Sequence, residues 1–142
     1  MGAEQPETIA AIVAAHRAGT LTPAETVART YRRIRDHNDP AVFISLRDEK
    51  DAIAEAERLA TKDAAGLPLY GVPVAVKDNI DALGFPTTAA CPAFSYTPAH
   101  DSTAVGRLRA AGAVVVSTEM VVFEWLRRAG TPEFKELSAL IK

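Results

Sequence analysis

Lys77 is the residue whose type and place point most directly to chemistry. It follows the apolar run Val72-Pro73-Val74-Ala75-Val76 and begins a loop. Ligands of α/β folds sit at such carboxyl ends of strands. A lysine ammonium drawn into a poorly hydrated site loses the solvation of its charged form, so its pKa falls. The neutral amine can then take a proton from a serine hydroxyl, or attack a carbonyl as a Schiff-base nucleophile. Equally, the residue reads as a solvated lysine at a strand end, paired with Asp78. Asp78 and Asp81 flank Asn79 at a spacing that matches no calcium loop, and they read as turn-forming acids. Cys91 and His100 suggest a thiol–imidazole dyad, yet nothing in their spacing enforces contact and no third group orients them. A lone cysteine of this kind reads as a small buried hydrophobe. His16 falls on an apolar helical face and His37 in a turn, without neighbours at metal-ligand spacing, so no metal and no cofactor are expected. Thr87 and Thr88 supply hydroxyls that can bind substrate or stabilise turns. A phosphate-cradling glycine loop and a G-x-S-x-G elbow are both missing.

The elements that must position these residues are legible from periodicity and punctuation. Ile9, Ile12, Val13 and His16 lie at helical spacing, and Gly19 ends that helix. Thr22-Pro23-Ala24-Glu25 is a capping box with proline at the first helical position. Behind it Ala24, Val27, Ala28, Tyr31 and Ile34 form one apolar face to about Asp36. Val42 to Leu46 predicts a short strand. Asp48 then caps a helix carrying Ala52, Ile53, Ala56, Leu59 and Ala60. The run Val72–Val76 is apolar on both faces, as an interior strand would be, with Pro73 at its entrance. From Asn79 to Ala99 no period is evident, and so long a loop is usually functional or disordered. Asp101-Ser102 caps a helix with Val105, Leu108 and Ala111, and Ala113 to Val116 returns as a strand. Strand, loop, helix and strand in this order predict a parallel crossover. Past Ser117 the character changes: Met120 to Ala129 reads as helical, and Thr131-Pro132 opens a last helix with Phe134, Leu137 and Ile141.

Leu69-Tyr70-Gly71-Val72-Pro73-Val74-Ala75-Val76-Lys77-Asp78-Asn79-Ile80-Asp81 resembles the amidase signature family. Gly84-Phe85-Pro86-Thr87-Thr88-Ala89-Ala90-Cys91-Pro92-Ala93-Phe94 looks like its allophanate hydrolase branch, and so do Asp101 to Val105 and Leu108 to Ala113. The likeness is strong from about Gly66 to Val116 and weaker from Gly19 onward. It implies an α/β/α sandwich around a mixed sheet, here its N-terminal portion preceded by helices. It also implies hydrolysis of an amide C–N bond by a Ser, cis-Ser, Lys triad without metal, on a small-molecule amide substrate. By position in the motif, Lys77 corresponds to the triad lysine. The family's Gly-Lys-Thr-Asn stretch is replaced by Ser117-Thr118-Glu119-Met120. The later glycine- and serine-rich segment, which supplies the bridging and nucleophilic serines, does not follow: only Ser117 and Ser138 come after Gly112.

Composition narrows the class further. Of 142 residues 48% are hydrophobic and 24% charged, the balance of an ordinary globular domain, with 16 basic against 18 acidic residues. That charge offers no field for a phosphate backbone, so nucleic acid is not an expected partner. Apolar stretches such as Ala113 to Val116 are too short for a bilayer, so no membrane is expected either. One cysteine excludes an internal disulfide, and Met1-Gly2-Ala3-Glu4 opens no secretion signal, so the expected compartment is the cytoplasm. The expectation is a partial amidase-signature domain over residues 1–116 and a divergent helical tail over 117–142. As a fragment bearing only the lysine, the chain is expected to be silent by itself. The alternative is a non-catalytic binding module derived from that fold, docking a protein partner or a second copy through its tail.

Overall fold

The structure, a computed structural model, describes residues 8–40 and 42–119. Its first two helices are set by their caps. Helix α1 (Ile9–Ala18) begins where the Thr8 hydroxyl accepts from the Ala11 N–H, and ends at Gly19, whose φ of 70° is the left-handed turn that glycine allows. Helix α2 (Pro23–His37) carries the predicted capping box: Thr22 Oγ1 accepts from the Glu25 N–H, and Glu25 accepts from the Thr22 N–H at 2.8 Å. Strand β1 (Phe43–Leu46) leads to helix α3 (Glu49–Ala60), whose Asp48 cap accepts from the N–H groups of Lys50 and Asp51. Strand β2 (Pro73–Lys77), helix α4 (Thr103–Ala110) and strand β3 (Val114–Glu119) complete the order.

The sheet order is β1-β3-β2, with β1 antiparallel and β2 parallel to β3. The sheet is therefore mixed, and the loop and α4 form the crossover between its parallel pair. Alternating side chains of β3 divide the core. Val114 and Val116 pack with Val27 and Tyr31 of α2 and Ala52 and Ala56 of α3. Val115 turns the other way, to Val76, Val105 of α4, Ala82 and Phe85. Helical layers thus cover both faces, as the family likeness implies for an α/β/α sandwich. A third cluster, Val13, Tyr70 and Val72, fastens α1 at the entrance to β2.

Two strand features differ from the sequence reading. Strand β3 continues through Ser117-Thr118-Glu119, the first three residues set apart as tail. These residues pair with β1 and β2 on either side, and Ser117 and Thr118 are buried. Polar side chains obscured a backbone ladder that pairing on both edges extends. Conversely, the apolar run of β2 predicts an interior strand, whereas among the described residues β2 pairs only with β3 and its Ala75 is exposed. The expected helices over Met120–Ala129 and from Thr131 lie outside the described residues.

Candidate functional site

Lys77 is the last residue of β2, in register with Glu119 of the parallel neighbour, and its side chain is exposed. Among the described residues it forms no ion pair with Asp78. The pleat explains why: Val76 belongs to the α4-side cluster, so Ala75 and Lys77 face the α2 side, and Asp78 turns back beneath the loop. The chain leaves the strand in a tight turn, with the Ile80 N–H donating to the Lys77 carbonyl at 2.9 Å.

Asp78 is 2% exposed and acts as the hub of the following loop. Its own N–H donates to the Glu119 carbonyl at 3.0 Å, prolonging the β2–β3 ladder by one bond. Its carbonyl accepts from the N–H groups of Thr88 and Ala89, both at 3.2 Å. Its Oδ2 accepts from the Thr88 hydroxyl and from the Ala90 N–H. The turn so gathered holds Ala89 and Ala90 at φ of 50° and 58°, a left-handed conformation that alanine rarely adopts. Cys91 closes it, its N–H donating to the Thr88 carbonyl at 2.8 Å. Asp78 Oδ1 is buried and has no hydrogen-bond partner among the described residues.

Asp81 organises the outer part of the same loop. Its Oδ1 accepts from the Thr87 hydroxyl at 2.8 Å and the Tyr96 hydroxyl at 2.6 Å. Thr87 and Tyr96 also exchange backbone hydrogen bonds of 2.9 and 3.1 Å, forming an isolated antiparallel bridge. The Asp81 carbonyl accepts from the Ser102 N–H at the cap of α4. The Tyr96 hydroxyl, and then that of Thr87, holds the Asp81 carboxyl below its ordinary range, and the same Asp81 bond raises the Tyr96 phenol. Asp78 and Asp81 are thus turn-forming acids, as expected. Their consequence is that the stretch without periodicity is ordered by two carboxylates.

The remaining candidates are dispersed. Cys91 and His100 are both exposed, and no hydrogen bond joins them among the described residues; the cysteine is not the buried hydrophobe expected, because it closes a surface turn. His16 is buried, with Nδ1 2.8 Å from the Tyr70 carbonyl and Nε2 2.7 Å from the Thr26 hydroxyl. The carbonyl can only accept, so Nδ1 donates, and the histidine ties α1 to α2 and to the approach to β2. His37 is exposed at the end of α2. Among the described residues no group of three or more His, Cys, Asp or Glu is arranged to hold a metal ion. In the same residues no helix is long and apolar enough to cross a membrane. Ser117 lies in mid-strand, fully buried, with its hydroxyl unpartnered among the described residues. It borders an open groove of about 480 Å³ on the α2 face, shared with Thr30, Ile34, Phe43, Ala75 and Val116. Sequence reasoning did not detect the left-handed turn at Ala89-Ala90, the Tyr96–Asp81 bond or this groove.

The family model described as Amidase matches residues 25–131. The urea amidolyase of Lachancea kluyveri is 56% identical over 79 residues, which are 55% of this chain and 4% of that protein. A chloroplastic/mitochondrial glutamyl-tRNA(Gln) amidotransferase chain of Oryza sativa subsp. indica is 41% identical over 122 residues, 80% of this chain and 22% of its own length. Among solved structures, the allophanate hydrolase of Kluyveromyces lactis superposes with a TM-score of 0.66 at 38% identity, over 80% of this chain and 19% of that one. The peptide amidase of Stenotrophomonas maltophilia gives a TM-score of 0.71 at 31% identity, over 80% and 24%. The chain therefore spans a quarter or less of each of these proteins.

Proposed function

The chain belongs to the amidase signature family, and from that premise we propose that it is the lysine-bearing portion of an allophanate hydrolase-like amidase. The reaction is hydrolysis of a urea-derived amide C–N bond, in which water and the amide give a carboxylate and ammonium. Lys77 is the base. Its amine takes the nucleophilic serine's proton through the bridging serine while the nucleophile's oxygen attacks the amide carbonyl. The proton then goes to the departing nitrogen, and water later cleaves the serine ester. One observation carries the assignment: the motif lysine ends a parallel strand with its side chain exposed, and a loop held in a fixed shape follows it. The likeness to a urea amidolyase and to an allophanate hydrolase supports a urea-derived substrate over a peptide. Neither of the triad's serines is represented among the described residues. Ser117 is buried in mid-strand, away from the glycine neighbours that let backbone N–H groups form an oxyanion hole. The 142-residue chain is accordingly silent by itself. Its single cysteine suits the cytoplasm.

The test is to read the gene beyond codon 142 in all three forward frames, and to join any frame encoding the glycine- and serine-rich segment to this chain. The joined protein is expected to release ammonia from allophanate, whereas the 142-residue chain is not. Lys77→Ala in the joined protein is expected to lower turnover by about 10²–10⁴-fold, the contribution of a positioned base. Full activity in that variant, or no such frame, overturns the reading.

A further inference from the structure

We propose that Asp78 is a positioning residue for this site: its carboxylate and carbonyl clamp the Thr88–Cys91 turn against the end of β2 and so fix the strand end from which Lys77 projects. The inference rests on the assignment of Lys77 made above and adds a residue that reaches the reaction only through it. The turn is tied to the residue that follows Lys77 in the chain, while the Lys77 side chain leaves on the other face of the strand, so what the turn can set is the strand end and not a contact with the amine. Four hydrogen bonds converge on Asp78 from Thr88, Ala89 and Ala90, and a fifth runs from its N–H to Glu119. The last of these secures the strand end on which Lys77 stands. The first four hold two alanines in a conformation they would otherwise leave, and such strain persists only where surrounding bonds over-determine it.

Stability alone does not account for this carboxylate. Oδ2 carries both side-chain hydrogen bonds, while Oδ1 is buried with no partner among the described residues. Burying an acceptor half-satisfied is unfavourable, and a charged one more so, so a residue kept only for packing would be apolar or fully bonded. The arrangement makes sense where the turn's shape is the product. The turn's own N–H groups all point inward, to Asp78 or Thr88. The turn therefore braces the strand end, and its donors are already committed.

Two native probes test the clamp in the 142-residue chain. Cys91 is the only cysteine and ends the turn, and Lys50 and Lys62 are exposed lysines remote from it in sequence. Asp78→Ala is expected to speed modification of Cys91 by a disulfide reagent several-fold. It is also expected to change acetylation of Lys77 relative to Lys50 and Lys62 across a pH series. Asp78→Asn keeps an oxygen for Thr88 and Ala90 and is expected to restore both readouts towards the parent. An equal change in the Ala and Asn variants would show that charge alone acts on Lys77, and would overturn the clamp, as would unchanged rates in both. Should Asp78→Ala fail to fold, Thr88→Val removes one donor only. A faster Cys91 reaction in that variant supports the clamp, and an unchanged one overturns it. Ammonia release plays no part in these readouts. An active Lys77→Ala enzyme would end the base assignment and leave the labelling ratios standing, whereas unmoved ratios would end the clamp alone.

Discussion

The Asp81–Tyr96 pair shows how single residues keep the loop after Lys77 in shape, and it sets a pH window. Asp81 is held below 3.8, first by the Tyr96 hydroxyl and then by Thr87, while Tyr96 is raised above 10.0, first by Asp81. A depressed carboxyl contributes stability above its unfolded pKa and loses it as pH falls through the folded value. A raised phenol contributes below its unfolded pKa and loses it as pH rises through the folded value. The pair therefore supports the loop from above pH 3.8 up to pH 10.0 and releases it on either side. In Tyr96→Phe the Asp81 carboxyl is expected to titrate higher, closer to 3.8, with the Thr87 bond still lowering it. Carboxyl ¹³C shifts followed against pH will measure this, and an Asp81 that titrates no higher in the variant would refute the pairing. At this scale the sequence is partly readable. Lysine after an apolar strand and aspartates in a turn-rich stretch give their places away by local chemistry. Nothing local makes alanine left-handed, so Ala89 and Ala90 are invisible until Asp78 and Thr88 come together from positions ten apart.

Elements were the most legible level, because caps and strand breaks act within a few residues. Thr22, Pro23 and Glu25 state the start of α2 in the sequence, and the structure forms both capping bonds. Thr22→Ala is expected to destabilise the fold by about 1 kcal/mol, the usual worth of such a cap, measured by urea unfolding. The approach to β2 demands more. Gly71 has φ of +73°, and a Cβ there would lie 2.7 Å from Pro23 Cβ and 2.8 Å from His16 Nδ1. It stands where α1, α2 and the entry to β2 converge, and the His16–Tyr70 hydrogen bond closes over it. Gly71→Ala adds a left-handed strain and an overlap with two rigid neighbours, each costing about 1–3 kcal/mol, so it is expected to exceed the Thr22→Ala effect. Equal midpoints for the two variants would contradict the convergence. The end of β3 escaped the sequence for the opposite reason. Its extent is decided by partners on both edges, Leu46 and Phe43 on one and Ala75 to Lys77 on the other, and not by its polar residues.

At the scale of the molecule, the crossover and the helical layers follow from element order, but completeness does not. Solved relatives contain this arrangement as a fifth to a quarter of their chains, 19% for the allophanate hydrolase and 24% for the peptide amidase. If the chain is a portion of a larger sheet, an apolar surface is left uncovered. On the fragment reading that surface is the groove where Ala75, Val116 and Phe43 meet Ile34 of α2, on the face to which Lys77 also points. An apolar surface of this kind binds dyes that fluoresce on leaving water. The fragment reading therefore expects an anilinonaphthalene dye to bind the chain at neutral pH while its helices remain folded. Ala75 is exposed and on the groove, so Ala75→Arg places a charge there without burying it. That variant is expected to bind markedly less dye with an unchanged far-ultraviolet spectrum. Equal binding by the variant would place the dye elsewhere and refute the groove as the uncovered surface. A parent chain that binds no dye and melts sharply would instead favour the binding-module reading, in which the apolar face is already covered in the native protein.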